Sequence, residues 1–523
     1  MAIAPVSRRQ FLATSSALVA GSCLPSWADV FHQGQAEDAA RAEAAEVALA
    51  RAAALGATYA DIRISRYRRE SIATRERQVQ NVSRSVSYGL GLRVLVNGAW
   101  GFAATNNVEP AAARLAADQA VSIGRANAAL VTRKVVLANA DQEVTAWTST
   151  FKRDPFDVSL ETKIAFLMKL NETALAVAGV SFVSSQILFV DEQKYFASSE
   201  GARITQRLVR TYPQFTTTAA DRASGDFQTR VVVDRAQLVG YEYVDEYPWL
   251  RDAERAGHEV VEKLKSKPAS AGRYDIVVDP SQLFLAIHES VGHSTELDRA
   301  LGWEANMAGT SFLKPGDAGK LRFGANIVNL VADRTQPGGL ATTGYDDEGV
   351  KSDRWHLVRD GMFVDWQTTR ELAPLVGQQR SHGCLHADNW SSVPFPRMPN
   401  VSLEPAGSEV TLEDLFSDIK LGLFVEGRGS SSIDQQRYNF QFGGAVIREI
   451  RNGKLGAMVR DAVYQSRTPD FWRSCDGLGG PATYRLWGTS ADGKGEPGQT
   501  NAVSHGCPPA RFRQITVLNT AAL

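Results

Sequence analysis

Residues 273–298, RYDIVVDPSQLFLAIHESVGHSTELD, constrain the fold more tightly than any other stretch of this 523-residue chain. The apolar run ending at Val278 reads as a short buried strand. Asp279 then supplies a helix N-cap, Pro280 suits the first helical position, where no amide hydrogen is needed, and Gln282 stands three residues past the cap. Leu283, Phe284, Ile287 and Val291 recur at helical spacing and turn one face to the core, leaving His288 and Glu289 on the shoulder of that stripe. His288 and His293 are five residues apart. At about 100° per residue this sets them roughly 140° apart around a regular α-helix, whereas a spacing of four would leave about 40°. For both to reach one ion the helix must widen or break, and Gly292 permits either a π-bulge or a left-handed helix end.

The residue types explain why such a pair matters. Neutral imidazoles hold a borderline divalent cation such as zinc without cancelling its charge, so water on the ion turns acidic near neutral pH. Glu289, beside the first histidine but about 100° around the helix, is placed to take that proton and pass it to a leaving amine. A third protein ligand and an open position are still required.

HESVGHSTELD (288–298) is followed in order by MAGTSF (307–312), VADRTQPGGLATTGYDDEGV (331–350), RELA (370–373), PFPRMPNVSLEP (394–405) and GKGEPGQ (493–499). Together these motifs resemble the TldD/PmbA family of metallopeptidases, on the TldD side that keeps H-E-x-x-x-H. The resemblance runs through most of residues 55–520. It implies that His288 and His293 are zinc ligands, with one ion per chain, and that Glu289 is the catalytic base. It also implies that unstructured peptides are cleaved inside a dimer cavity, the extended substrate adding as a strand to a sheet edge. One departure concerns the third ligand. Where the family has a cysteine in a C-G-K-x-G-Q-like stretch, this chain has Asp492 in ADGKGEPGQ. Two histidines with one carboxylate form a known catalytic zinc set, harder than one with a thiolate and more open to other divalent ions. Cys507, in SHGCPPARF, is the rival third ligand, ranked behind Asp492.

The N-terminus carries a different signal. SRRQFLATSSALVAGSCLPSWA contains Arg8-Arg9, Phe11-Leu12, an apolar stretch to Val19 and a small-x-small end at Ser26–Ala28, which resembles a twin-arginine export signal over residues 1–28. The apolar stretch is too short for a permanent membrane span. Cleavage near Ala28 gives a soluble extracytoplasmic, periplasmic product, although Cys23 leaves lipid attachment open. The other cysteines, 384, 475 and 507, are odd in number and form no disulfide framework. S-H-G-C occurs twice, at 381–384 and 504–507, and without a second cysteine at zinc-finger spacing each reads as a separate turn.

For the rest, the pattern is α+β: N-terminal mixed segments with antiparallel sheet, then a β-rich C-terminal catalytic domain carrying the metal-binding helix. Residues 36–135 read as a first unit, with an alanine-rich helix closed by Gly56, a hairpin at Asn97-Gly98 and a helix from Pro110 to about Leu130. Residues 150–265 read as a middle unit: a helix near 157–178, an antiparallel meander turning at Ser199–Gly201, and a helix near 250–265. Residues 270–523 form the catalytic unit, with turns at Asp360-Gly361 and Asn452-Gly453. Within it, GYDDEGV lacks calcium-loop spacing and reads as a loop lining the cleft; TQPGGLATTG lacks a phosphate-loop lysine, and its backbone is available to an extended substrate.

A formal net charge of −1 offers no basic footprint for nucleic acid. The reading is an exported zinc-dependent peptidase acting on peptides or unfolded protein, as a homodimer or beside a PmbA-like sister chain. The alternative is a non-catalytic peptide-binding or scaffold subunit of such a complex, in which Asp492 marks a decayed site.

Overall fold

The computed structural model describes residues 27–522, 25% helical and 42% strand. The export signal expected at residues 1–28, with Cys23, lies outside the described residues, apart from Trp27 and Ala28 at the start of the first helix. Among the described residues no helix is long and apolar enough to cross a membrane.

The residues of the two N-terminal units share one sheet. Helix α1 (Trp27–Ala54) leads into β1 (Tyr59–Arg75), β2 (Gln78–Val96) and β3 (Ala99–Thr105), followed by α2 (Pro110–Ala128). Then come β4 (Val144–Thr148), α3 (Leu160–Leu175), β5 (Val180–Ser198), β6 (Arg203–Ala220), β7 (Phe227–Val232) and α4 (Trp249–Lys265). The strand order is β3-β2-β1-β5-β6-β4 with β7 on β6, so the long β1–β5 pairing welds both units together. The turn between β2 and β3 has Asn97 and Gly98 both at positive φ, 52° and 83°, as a two-residue hairpin demands. Ala44, Ala45 and Ala48 of α1 and Ala113, Ala117 and Ala120 of α2 are fully buried in the core under β1–β3. Small side chains let helix and strand approach closely: a Cβ on Gly101 would lie 2.0 Å from the Ala120 carbonyl oxygen.

The C-terminal region is built around a ring of strands. β8 (Gly272–Val278) is followed by helix α5 (Pro280–Ile287), β9 (Asn400–Leu403), β10 (Leu421–Ile433), β11 (Asn439–Arg451), β12 (Ala462–Arg467), β13 (Arg485–Lys494), β14 (Gln499–Cys507) and β15 (Ala510–Asn519). β10 pairs parallel with β8, β8 antiparallel with β15, β15 with β12, and β12 with β11. Because β11 also pairs with β10, these five strands close on themselves and leave no free edge among them. Phe440, Phe442, Tyr464, Phe471 and Phe512 stack in the core alongside α5. β13 and β14 form a separate two-stranded ribbon.

The helix N-cap is as expected, with Asp279 Oδ1 accepting from the Ser281 amide at 2.9 Å. Gln282 does not complete a capping box. Fully buried, its amide nitrogen instead turns 3.3 Å toward the Tyr464 hydroxyl, since a side chain facing the ring core cannot also reach back to the cap.

GYDDEGV is buried rather than cleft-lining. Asp346 accepts from the amides of Glu348, Val350 and Leu385. Asp347 meets Lys194 of β5 at 3.0 Å, and Glu348 meets Arg93 of β2 at 3.2 Å. These carboxylates fasten the C-terminal region to the first sheet. TQPGGLATTG likewise has its backbone engaged: Gly338 C=O accepts from Leu238 N–H, and the Leu340 and Ala341 amides donate to Ser504 Oγ and Asn400 Oδ1.

Candidate metal centre

Helix α5 widens into a π turn at His288–Gly292, and His293–Thr295 continues as a 3₁₀ turn. A π turn closes five residues on, and here the His293 amide donates to the His288 carbonyl. The five-residue spacing therefore brings the two imidazoles together, with ring centroids 4.6 Å apart at 77°. Of the two remedies open to Gly292, the chain uses the π turn, for Gly292 is right-handed at φ −52°. Its lack of a side chain matters for packing: a Cβ there would lie 2.4 Å from Met398 Sδ. Gln367, a buried residue, donates to the Gly292 carbonyl at 2.5 Å, one of the acceptors that the changed register frees.

β13 brings in the third group. Asp492 Oδ1 lies 3.6 Å from His288 Nε2 and 3.4 Å from His293 Nε2, and all three side chains are buried. Zinc bonds of roughly 2.0–2.1 Å at tetrahedral angles separate ligand atoms by about 3.3–3.4 Å. The donor atoms here lie within 4.8 Å of one another, so two imidazoles and a carboxylate fit a zinc-type cation. Cys507 is not part of this group: its thiol points to the Pro280 carbonyl at 3.8 Å, and burial, then the charge of Asp279, push it well above the usual thiol range. A protonated, apolar-packed thiol is a poor ligand.

Each candidate ligand is held from behind. Arg397 donates to Asp492 Oδ2 at 3.0 Å, leaving Oδ1 for the cluster. His293 Nδ1 is 2.9 Å from Glu296 Oε2, and Glu296 is bound by Arg299 and, at 2.9 Å, by Lys494. His288 Nδ1 is 2.8 Å from His505 Nε2, and His505 Nδ1 is 2.8 Å from the Val401 carbonyl oxygen.

Electrostatics follows these contacts. Burial and the Arg299 charge hold His293 well below the usual histidine range. Burial, with the charge of His288, brings His505 down to about 3. Burial alone would raise Asp492, but His293, His288 and Arg397 outweigh it and hold the carboxyl far below its usual range. Burial lowers His288 too, yet the hydrogen bond and charge of Asp492 leave it raised.

Glu289, beside His288, is partly exposed and paired with Arg437 Nη1 at 2.6 Å. Arg437 reaches it from the β10–β11 turn, where its backbone is left-handed at φ 63°. A carboxylate held by a guanidinium at 2.6 Å and open to solvent on one side is placed to accept a proton.

The two S-H-G-C stretches serve unrelated ends. His382 stacks on Trp355 at 4.2 Å and lies between Asp365 and Asp353, and Cys384 is a buried thiol raised to about 12 by burial and the nearby Asp346 charge, against the charge of Arg334. His505 of the second stretch, by contrast, touches a candidate ligand. Sequence reasoning missed it, along with Arg397 and Glu296, although each lies in a quoted motif. For His505 and Arg397 the partners lie 217 and 95 residues away, whereas Glu296 stands three residues after His293 and that spacing was the signal that could have found it.

Residues 60–124, 153–267 and 271–519 match domain 1, the central domain and the C-terminal domain of the PmbA/TldA metallopeptidases. The chain is 28% identical over 464 residues to a metalloprotease of Methanothermobacter thermautotrophicus, covering 88% of this chain and 96% of the relative. It is 24% identical over 481 residues to a zinc metalloprotease TldD homolog of Saccharolobus solfataricus, covering 88% and 97%. The fold superposes on the crystal structure of TldE from Thermococcus kodakarensis with a TM-score of 0.69 at 16% identity, over 91% of this chain and 99% of the other. At that identity the likeness speaks for the fold.

Proposed function

The chain belongs to the PmbA/TldD metallopeptidase family, and from that premise we propose that it is an exported, zinc-dependent peptidase that hydrolyses unstructured peptides. The observation that carries this reading is the convergence of His288, His293 and Asp492 with Glu289 beside them. When bound there, zinc supplies Lewis acidity toward a scissile carbonyl and an attacking water. The chain's own residues do the rest. Glu289 takes the water's proton and returns it to the leaving amine, while Arg437 holds that carboxylate in place. Glu296 and Arg397 fix the orientations of His293 and Asp492 so that no reorganisation is needed as substrate arrives.

The substrate is a segment without stable structure, because only an extended backbone can lie along a sheet edge. Twin-arginine export, which carries folded proteins, suits a chain that gains its ion before leaving the cytoplasm, and places the mature protein in the periplasm. It works as a dimer, with itself or with a PmbA-like sister chain.

Glu289→Gln tests the reading. Elemental analysis of the purified mature protein should find about one zinc per chain in both wild type and variant, with peptide cleavage lost in the variant by at least 100-fold. Retained cleavage removes Glu289 from the mechanism. A wild type that binds no zinc even after loading overturns the peptidase reading and leaves a peptide-binding subunit.

A further inference from the structure

We propose that His505 is a positioning residue: a buried imidazole that fixes His288 as an Nε2 ligand by dictating which of its nitrogens carries the proton. The inference rests on the metal-binding reading above.

The argument begins at Val401. A backbone carbonyl only accepts, so His505 Nδ1, 2.8 Å away, must carry a hydrogen. A neutral imidazole has one N–H, which leaves His505 Nε2 with a lone pair. His288 Nδ1, 2.8 Å from that lone pair, must then donate, and His288 Nε2 is left free to bind on the side of Asp492. With His505 neutral the order cannot be reversed, because the carbonyl has no hydrogen to give. Val401 and His505 are fully buried and His288 is 6% exposed, so water does not substitute for either link. The rings of His288 and His505 meet edge to face at 80°, and Phe284 stacks beside His505. The relay thus ties the π turn, β14 and β9 into one rigid assembly.

Charge explains the choice of residue. His293 is backed by the carboxylate of Glu296, itself neutralised by Arg299 and Lys494. Among the described residues no lysine or arginine pairs with His505. A carboxylate there would be an unpaired buried charge near Asp492, whereas an imidazole directs the proton and adds none.

Two measurements test it. In zinc-loaded protein labelled with ¹⁵N-histidine, His505 should be protonated on Nδ1, and His288 protonated on Nδ1 with zinc on Nε2. Zinc on His288 Nδ1, or the hydrogen of His505 on Nε2, overturns the proposal without any variant. The second is zinc affinity by chelator competition. His505→Phe should bind zinc about 10- to 100-fold more weakly than wild type. His505→Gln, whose amide oxygen reaches the same position, should recover most of the loss while melting no higher than the Phe variant. Equal zinc affinity in wild type and His505→Phe sinks the relay alone. Absence of zinc from the wild type sinks the metal-binding reading itself.

Discussion

Asp492 sits where the family resemblance puts a cysteine, and its surroundings suit a carboxylate. Arg397 holds one oxygen at 3.0 Å and leaves the other toward two imidazoles. A thiolate has no second acceptor for that guanidinium. Asp492→Cys should therefore retain a metal but shift preference toward softer ions, read as a rise in cadmium-over-zinc selectivity in competition titrations. Asp492→Ala should lose the ion, since Arg397 would then point an unpaired charge at the site. His288, Glu289 and His293 were legible because they lie within six residues beside a glycine that lets the helix widen. Asp492 needed the resemblance. Arg397 and His505 were illegible as partners because the contacts that define them span 95 and 217 residues.

The π turn is the element on which the site depends. Gly292 is required by Met398 pressed against it, not by a left-handed backbone, so Gly292→Ala should cost about 1–2 kcal/mol through overpacking and weaken metal retention as the turn shifts. Met398→Ala in the same chain should relieve most of that loss, a coupling that a double-mutant cycle of melting midpoints would detect. Helices and hairpins were readable from caps, alanine faces and Asn-Gly turns because those signals act within a few residues. The closure of the strand ring was not. Its parallel β8–β10 pairing joins segments well over a hundred residues apart, and nothing in either strand's alternation names the partner.

At the scale of the molecule, the first sheet and the C-terminal region are joined by buried ion pairs, Lys194–Asp347 and Arg93–Glu348 among them. His386 sits in that junction, its Nδ1 3.5 Å from Asp347 and also 3.5 Å from Lys194 Nζ. Burial and then Lys194 bring it down to about 3 from an ordinary 6.5, against the opposing charges of Asp347 and Glu192. Between those values the unfolded chain binds a proton that the folded chain refuses, so stability falls as pH drops from 6.5 toward 3, by at most about 1.4 kcal/mol per pH unit. Denaturation midpoints at pH 7 and pH 5 should differ less in His386→Asn than in wild type. The two N-terminal units follow from local composition, whereas the β1–β5 pairing by which their strands share a sheet joins residues more than a hundred apart and leaves no local signal.

β15 lies between β8 and β12 rather than at an edge, and His505 on the preceding strand reaches back 217 residues to His288. On the ribosome, then, the helix with both histidines emerges long before the segments that complete it. Until residues 485–519 have left the exit tunnel, the nascent chain has an open ring and only two of its three candidate ligands. On the proposed reading, loading with metal is accordingly a late event in the life of each molecule, and a chain that stalls short of β15 should be recognised by proteases rather than passed on.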